Sequence, residues 1–359
     1  VSTPETIPPD QLGSPTAAAH ATAAINPGLR ARITRRRTDI GHMVVRRLAV
    51  FIPLLLLITL AVFGLAAVSP FDPLEAYTGG RAGNLSTEQA EKLSHTLGLD
   101  IPWWQAWMTW IADLLRGDLG TSRYYRMPVS EVLAQRLPWT LLLGSLGLLL
   151  AIVLAVILGT IAGVRPHSPT AKITDALAGL LQATPPFVLA LGALSVFALY
   201  LRWVPTGGLT DPGADVTFTG TVRHIITPAV VLGLSQLPWL VLSLKESVRA
   251  TMGSDAIRGA RVRGLDEKTI VRGHVIPAAL PPFVALIGTR LPELIVGSTL
   301  VEAVFSWPGL GFALVQACQS MDFPLLAFLT LATTAVVLLG NLLADILIVV
   351  SDPRVDADV

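Results

Sequence analysis

Polar side chains that interrupt long apolar runs are the residues of this chain best placed to do chemistry. Arg290 and Glu293 lie one helical turn apart in such a run, where charges are costly unless paired or wet. Their i, i+3 spacing lets them pair on one helix face. Two roles fit: the lining of a polar path, or a self-neutralised structural pair packed against a neighbouring helix. Asp345, with Asn341 one turn before it, fits a helix-to-helix hydrogen bond better than a ligand site. Glu302, near one end of its run, either shapes a gate or faces water.

Other chemistries lack their residues. There is no paired His-Glu-x-x-His, no Gly-x-Ser-x-Gly and no carboxylate cluster of the kind an intramembrane hydrolase needs. His20, His42, His95, His167, His224 and His274 are scattered without metal-ligand spacing, and Cys318 is the lone cysteine. No metal site and no disulfide framework is expected. A Gly-x-x-x-x-Gly-Lys-Ser/Thr phosphate loop is also absent, so the chain itself is expected to bind no ATP. The arginine-rich stretch over 30–47 lacks interleaved aromatics and adjoins an apolar block, which fits lipid headgroups and not nucleic acid.

The elements that position these residues follow from composition. Of 359 residues, 52% are apolar and 14% charged, against roughly 25% charged in soluble domains. An ordinary soluble enzyme is excluded, and a single helical membrane domain is indicated. Apolar blocks at about 48–68, 139–164, 174–201, 225–247, 282–304 and 325–350 are each long enough to cross a bilayer as a helix. An open sheet would leave unpaired edges in lipid. The expected fold is therefore all-α: a polytopic bundle of six transmembrane helices spanning 41–359, after a disordered tail over 1–40 rich in Ala, Thr and Pro.

Arginine and lysine distribution sets the orientation. Arg30, Arg32, Arg35, Arg36, Arg37, Arg46 and Arg47 precede the first block, and Lys245, Arg249, Arg258, Arg261, Arg263, Lys268 and Arg272 follow the fourth. Both groups belong on the cytoplasmic side, with both termini, which leaves 69–137 outside. A twin-arginine export signal competes for the amino end, but the first block is long for a cleaved core and no clear small-residue cleavage site follows it. In the outer segment Ser86 and Gln89 read as a capping box opening a short helix that Gly98 ends. Trp103, Trp107 and Trp110 share one face of a second short helix, which either lies along the membrane surface or packs on the bundle. Pro185, Pro186, Pro238 and Pro292 should kink or break their helices.

The cytoplasmic excursion over 249–281 is too long to be only a carrier of positive charge. Its 254–263 segment reads as a short helix with Ser254 as N-cap, broken at Gly264, after which a second short helix runs toward Pro277. Such a unit would stand off the membrane as a rigid knob, basic and partly apolar, shaped for a groove in a soluble partner.

Here the residues resemble a known family. Asp255, Arg258, Ala260, Arg261, Gly264 and Leu265, through His274 and Pro277, look like the coupling loop of ATP-binding-cassette (ABC) importer permeases. The family form begins Glu-Ala-Ala and carries Gly four residues after the second Ala. Ala260 and Gly264 hold those places, while Arg258 replaces the Glu and Gly259 the first Ala, variations associated with the peptide and nickel branch. The run from Val301 to Gly311, with Phe305, Trp307, Pro308, Gly309 and Gly311, is similar to that branch's signature. Asn341, Asp345 and the Ser351, Asp352, Pro353, Arg354 ending resemble its last span and tail. Leu97, Gly98, Leu99, Asp100 and Pro102, then 115–120 (Leu-Arg-Gly-Asp-Leu-Gly), Pro128, Val129 and Arg136, Leu137, Pro138, Thr140, Leu141 resemble the B-type subunit of dipeptide and oligopeptide permeases.

The resemblance covers about 45–355 and implies a multi-pass subunit of the bacterial inner membrane that is not itself an enzyme. It would form half of a translocation pathway with a homologous C-type permease. ATP and Mg would be bound by two cytoplasmic ATPase subunits docked on the coupling loop, and an extracytoplasmic solute-binding protein would deliver cargo. Dipeptides, oligopeptides, nickel chelates, glutathione and haem are all cargoes of such systems. Arg290, Glu293 and Glu302 become candidates for the pathway or its gate, with Arg290 and Glu293 placed to meet peptide termini. The alternative is a self-contained secondary transporter, which would need inverted repeats and a coupling-ion site; neither is evident.

Overall fold

The computed structural model describes residues 27–70, 73–78, 82–96 and 100–351. Among these residues the chain is helical, with a single isolated bridge, Thr121 to Pro128, outside helices. In chain order the helices are α1 (Pro27–Ala67), α2 (Pro73–Thr78), α3 (Thr87–Thr96), α4 (Trp103–Leu115), α5 (Val129–Val164), α6 (Pro169–Ala183), α7 (Pro186–Ala193), α8 (Phe218–Met252), α9 (Asp255–Val262), α10 (Glu267–Ile270), α11 (Ile276–Val304), α12 (Leu310–Gln319) and α13 (Phe323–Ser351).

Five helices are long and apolar enough to cross a membrane, and a sixth crossing exists only if α6 and the helix from Pro186 to Tyr200 count as one. That pair is bent by 102°, so the run expected at 174–201 is not one continuous helix but a broken span or a re-entrant loop. The cause is local. Thr184 is held extended ahead of Pro185, as the residue before a proline must be. Neither Pro185 nor Pro186 has an N–H to continue the ladder, and Pro186 instead opens α7. By contrast α8 runs unbroken through Pro228 and Pro238. At the amino end α1 begins at Pro27, well inside the stretch read as a disordered tail. Arginine and alanine favour helix, and a segment continuous with a formed helix needs no new nucleus. Residues 1–26 lie outside the described residues, as do Gly98 and the 352–354 ending.

Close packing of α5 on α8 forms the centre of the bundle. Gly144, Gly147, Ala151, Ala155, Gly159, Ala162 and Gly163 make a buried stripe along α5. A Cβ at Gly163 would stand 2.7 Å from the Lys245 carbonyl oxygen, and one at Gly159 3.0 Å from that of Val241. Small residues at this spacing let two backbones approach where lipid supplies no hydrophobic drive.

The 69–137 segment, expected outside, is fastened to this bundle through α4. Ser86 N–H donates to Gln89 Oε1 at 3.0 Å and Gln89 N–H to Ser86 Oγ at 3.3 Å, forming the expected capping box. The tryptophan face of α4 packs on α1: Trp107 Nε1 donates to Thr59 Oγ1 at 3.1 Å, and Trp110 is buried 5.7 Å from the Phe63 ring. Trp104 and Met108 point away and are exposed.

Candidate coupling and translocation sites

The knob is a compact unit anchored from below. Ser254 sits extended before α9, and the Arg258 N–H closes the first turn on its carbonyl at 3.1 Å. Its hydroxyl makes no capping bond, so the capping side chain expected there is absent. The far end is a complete Schellman motif. Gly264 is left-handed at φ +81° and donates to the Arg261 carbonyl at 2.9 Å, while Leu265 N–H reaches the Ala260 carbonyl at 3.3 Å. Arg261 then clasps Glu267 through two bonds, at 2.7 and 3.4 Å. Asp266 caps α10 by accepting from Thr269 N–H at 3.2 Å, and the Thr269 hydrogen bonds hold its carboxyl below the usual range.

α10 is not the free-standing second helix expected between Gly264 and Pro277. It passes through a π-turn at Val271–Val275 directly into α11, so the knob is continuous with a crossing helix. Ile257 and Ala260 are buried with Ile270, Val275, Phe283 and Leu244. Ala260, only 1% exposed, packs the knob on the bundle and is not part of its outer surface. The exposed surface carries Asp255, Arg258, Arg261, Gly264, Leu265, His274 and Pro277, with Val262 85% exposed at the tip.

Deeper in the bundle, the break between α6 and α7 opens a cleft of about 480 Å³ whose walls include Pro185, Ser235, Gln236, Trp239, Glu293 and Gly297. Interrupted helices at membrane depth are tolerated where they line such a cavity. Arg290 and Glu293 pair as their spacing requires, and the Arg290 guanidinium lies over the Trp239 ring, 4.4 Å from its centroid. Among the described residues no His, Cys, Asp and Glu group is arranged to hold a metal.

Glu302 neither faces water nor lines this cleft. It is fully buried, accepting from Gly311 N–H at 2.7 Å and Phe312 N–H at 3.2 Å, so it caps the start of α12. A Cβ on Gly309 would lie 2.4 Å from the Glu302 carboxyl carbon, and one on Gly311 would lie 2.4 Å from Thr299 Cα. Both positions therefore require glycine. Trp307 Nε1 donates to the Trp139 carbonyl at 3.1 Å, its ring meets Trp139 edge-on at 5.9 Å, and Leu310 N–H donates to Thr140 Oγ1 at 2.7 Å. The signature from Phe305 to Gly311 thus ties the carboxyl end of α11 to α5.

Asp345 pairs with Arg47 at 2.7 Å and joins the last helix to the first, whereas Asn341 is exposed. Two further ties escaped the sequence reading. Lys245, 8% exposed, donates to Asp175 at 2.6 Å and links α8 to α6. Asp322, fully buried, accepts from Ser122 Oγ at 2.6 Å and Tyr124 N–H at 3.0 Å, pinning the outer hairpin to the start of α13. The partners are distant in sequence, and no local spacing announces them.

Comparison with known proteins places this architecture. A family model described as "binding-protein-dependent transport system inner membrane component" matches residues 135–357, more than half the chain. A putative peptide permease protein of Brucella ovis is 35% identical over 312 residues, covering 86% of this chain and 97% of that protein. The dipeptide transport system permease protein DppB of Escherichia coli is 32% identical over 335 residues (88% and 98%), and the oligopeptide transport system permease protein AppB of Bacillus subtilis 31% over 314 (87% and 98%). An inward-facing MetNI methionine ABC transporter chain aligns with TM-score 0.45 at 18% identity, over 61% of this chain and 97% of that one. A crossing bundle of this kind, related along nearly its whole length to such permeases, is an integral protein of the inner membrane. The chain belongs to the family of inner membrane components of binding-protein-dependent transport systems.

Proposed function

We propose that this chain is the B-type permease subunit of an ATP-binding-cassette importer for dipeptides, oligopeptides or a closely related solute. In this reading it forms half of the pathway with a homologous C-type permease. Two ATPases dock on the knob, and a solute-binding protein presents cargo from outside. The relatives' peptide permease names support the cargo class. The observation that carries the reading is the construction of the knob. An exposed tip of Arg258, Val262 and Leu265 stands on buried Ile257 and Ala260, which pack on α8 and α11. A push on the tip is delivered to crossing helices, because packed interiors transmit displacement.

Proteoliposomes holding this chain with its partner permease, both ATPases and the solute-binding protein test the reading. They should accumulate tri-alanine only when ATP is supplied, and the chain alone should neither accumulate peptide nor hydrolyse ATP. Accumulation against a gradient by the chain alone, without nucleotide, would establish a self-contained secondary transporter instead.

A further inference from the structure

Gln236, in the wall of the cleft, and Arg290, which pairs with Glu293 and stacks on Trp239 of that wall, each carry a buried polar atom with no partner among the described residues, Oε1 and Nε respectively. One is an acceptor and the other a donor. Gln236 is 4% exposed, and its amide nitrogen is already used on Ser235 Oγ at 3.3 Å. Buried groups of this kind are nearly always satisfied in native proteins, so one orphan in the cleft wall and another on a residue packed against that wall leave an acceptor and a donor for an outside molecule. The neighbouring groups define its charge. Glu293 is a carboxylate whose side chain is 55% exposed, and Trp239 presents an indole face beside it. At present the cation held between them belongs to the protein itself: Arg290 pairs with Glu293 and stacks on Trp239.

We infer that this cleft is a binding site for the unblocked amino end of a peptide, with Arg290 as a tethered occupant that the cargo displaces from Glu293. This rests on the permease reading above. The peptide's ammonium takes the Glu293 carboxylate. The first peptide unit then supplies what the orphaned atoms lack: its N–H donates to Gln236 Oε1, and its carbonyl accepts from Arg290 Nε. Arg290 remains over Trp239, where its charge is still stabilised. One cation replaces another at the carboxylate, so Glu293 keeps a cationic partner throughout, and the guanidinium it releases keeps the indole face. A volume of about 480 Å³ suits a short peptide and falls within the range of small-molecule sites.

The test uses the complete importer in proteoliposomes with a tri-alanine analogue that has a free amino terminus and a photoreactive diazirine on its first side chain. Wild type should cross-link to this chain during ATP turnover. E293Q and the charge-balanced R290Q/E293Q variant should lower both cross-linking and maximal uptake about ten- to hundred-fold, the effect of losing a hydrogen bond to a charged group. E293D, which keeps the carboxylate, should retain most of both. Wild-type cross-linking and uptake in R290Q/E293Q would overturn the inference, as would an equal loss in E293D. A wild-type complex that imports no peptide would overturn the permease reading and this inference with it.

Discussion

Replacing Gly311 with alanine should unseat the helix that Glu302 caps. The new Cβ would stand 2.4 Å from Thr299 Cα and 2.9 Å from Glu302 Oε2, and the first of these is backbone that cannot turn aside. The start of α12 must therefore move off α11. Glu302 then loses its bonds from Gly311 and Phe312, each worth about 1.5–3 kcal/mol for a charged acceptor. The loss is about 3–6 kcal/mol in total, before any cost of leaving the carboxyl buried and unpaired. Thermal unfolding of the purified chain in nanodiscs should show a Tm lower by several degrees for G311A. G192A is the matched control, since a Cβ at Gly192 meets nothing within 4 Å and alanine favours helix by about 1 kcal/mol. An unchanged Tm for G311A would refute the capping role of Glu302.

Removing Asp175 leaves the buried Lys245 ammonium only the Glu246 carboxylate, 3.9 Å away. D175N should cost about 1–3 kcal/mol, reduced from the fully buried case because Asp175 is part-exposed, and K245M should cost less because the carboxylate it frees can reach water; unfolding temperatures check both. Asp266 gives the knob a pH dependence. Its folded pKa is depressed by the Thr269 hydrogen bonds, so its stabilisation is full above the ordinary carboxylate pKa of about 4 and is lost as pH falls through the lower folded value. The protection of amides over 267–270 should fall on acidification through that window in wild type, and D266N should keep only the part of that dependence set by Glu267, whose carboxyl the Arg261 hydrogen bond also holds below its ordinary value. T59V should leave the Trp107 indole without its partner and destabilise the outer cap by about 1 kcal/mol, read as faster proteolysis of 100–116.

The legible part of this molecule is what short-range rules decide. Long apolar runs located the crossing helices, Ser86 and Gln89 announced their capping box, Pro185 and Pro186 announced the break in the third run, and Gly264 announced the turn of the knob. Residues whose meaning depends on distant partners were read less well. Glu302 was open to a reading as a wet carboxylate because nothing in its own span shows that Gly309 and Gly311 fold back over it. Their paired glycines, seven and nine positions on, were the available signal. The burial of Ala260 was available in its spacing of three from Ile257, which marks the inner face of a short amphipathic helix. The stripe of small residues from Gly144 to Gly163 was present in the sequence as a helix-contact pattern and went unread. Asp175, Lys245, Ser122 and Asp322 carried no local sign, since their pairing is created by topology alone.

If the knob converts ATPase motion into transport, Gly264 at its turn is its most exposed point of failure. A β-branched residue at φ +81° incurs the left-handed penalty of roughly 1–2 kcal/mol and opens the Schellman turn, while the bundle core that holds Ile257 and Ala260 stays packed. The decisive measurement is the ratio of tri-alanine imported to ATP hydrolysed by the complete importer carrying G264V. The ratio should collapse while hydrolysis continues and the chain still inserts and assembles. A G264V complex that imports peptide with the wild-type ratio would contradict the claim that this turn couples ATPase motion to transport.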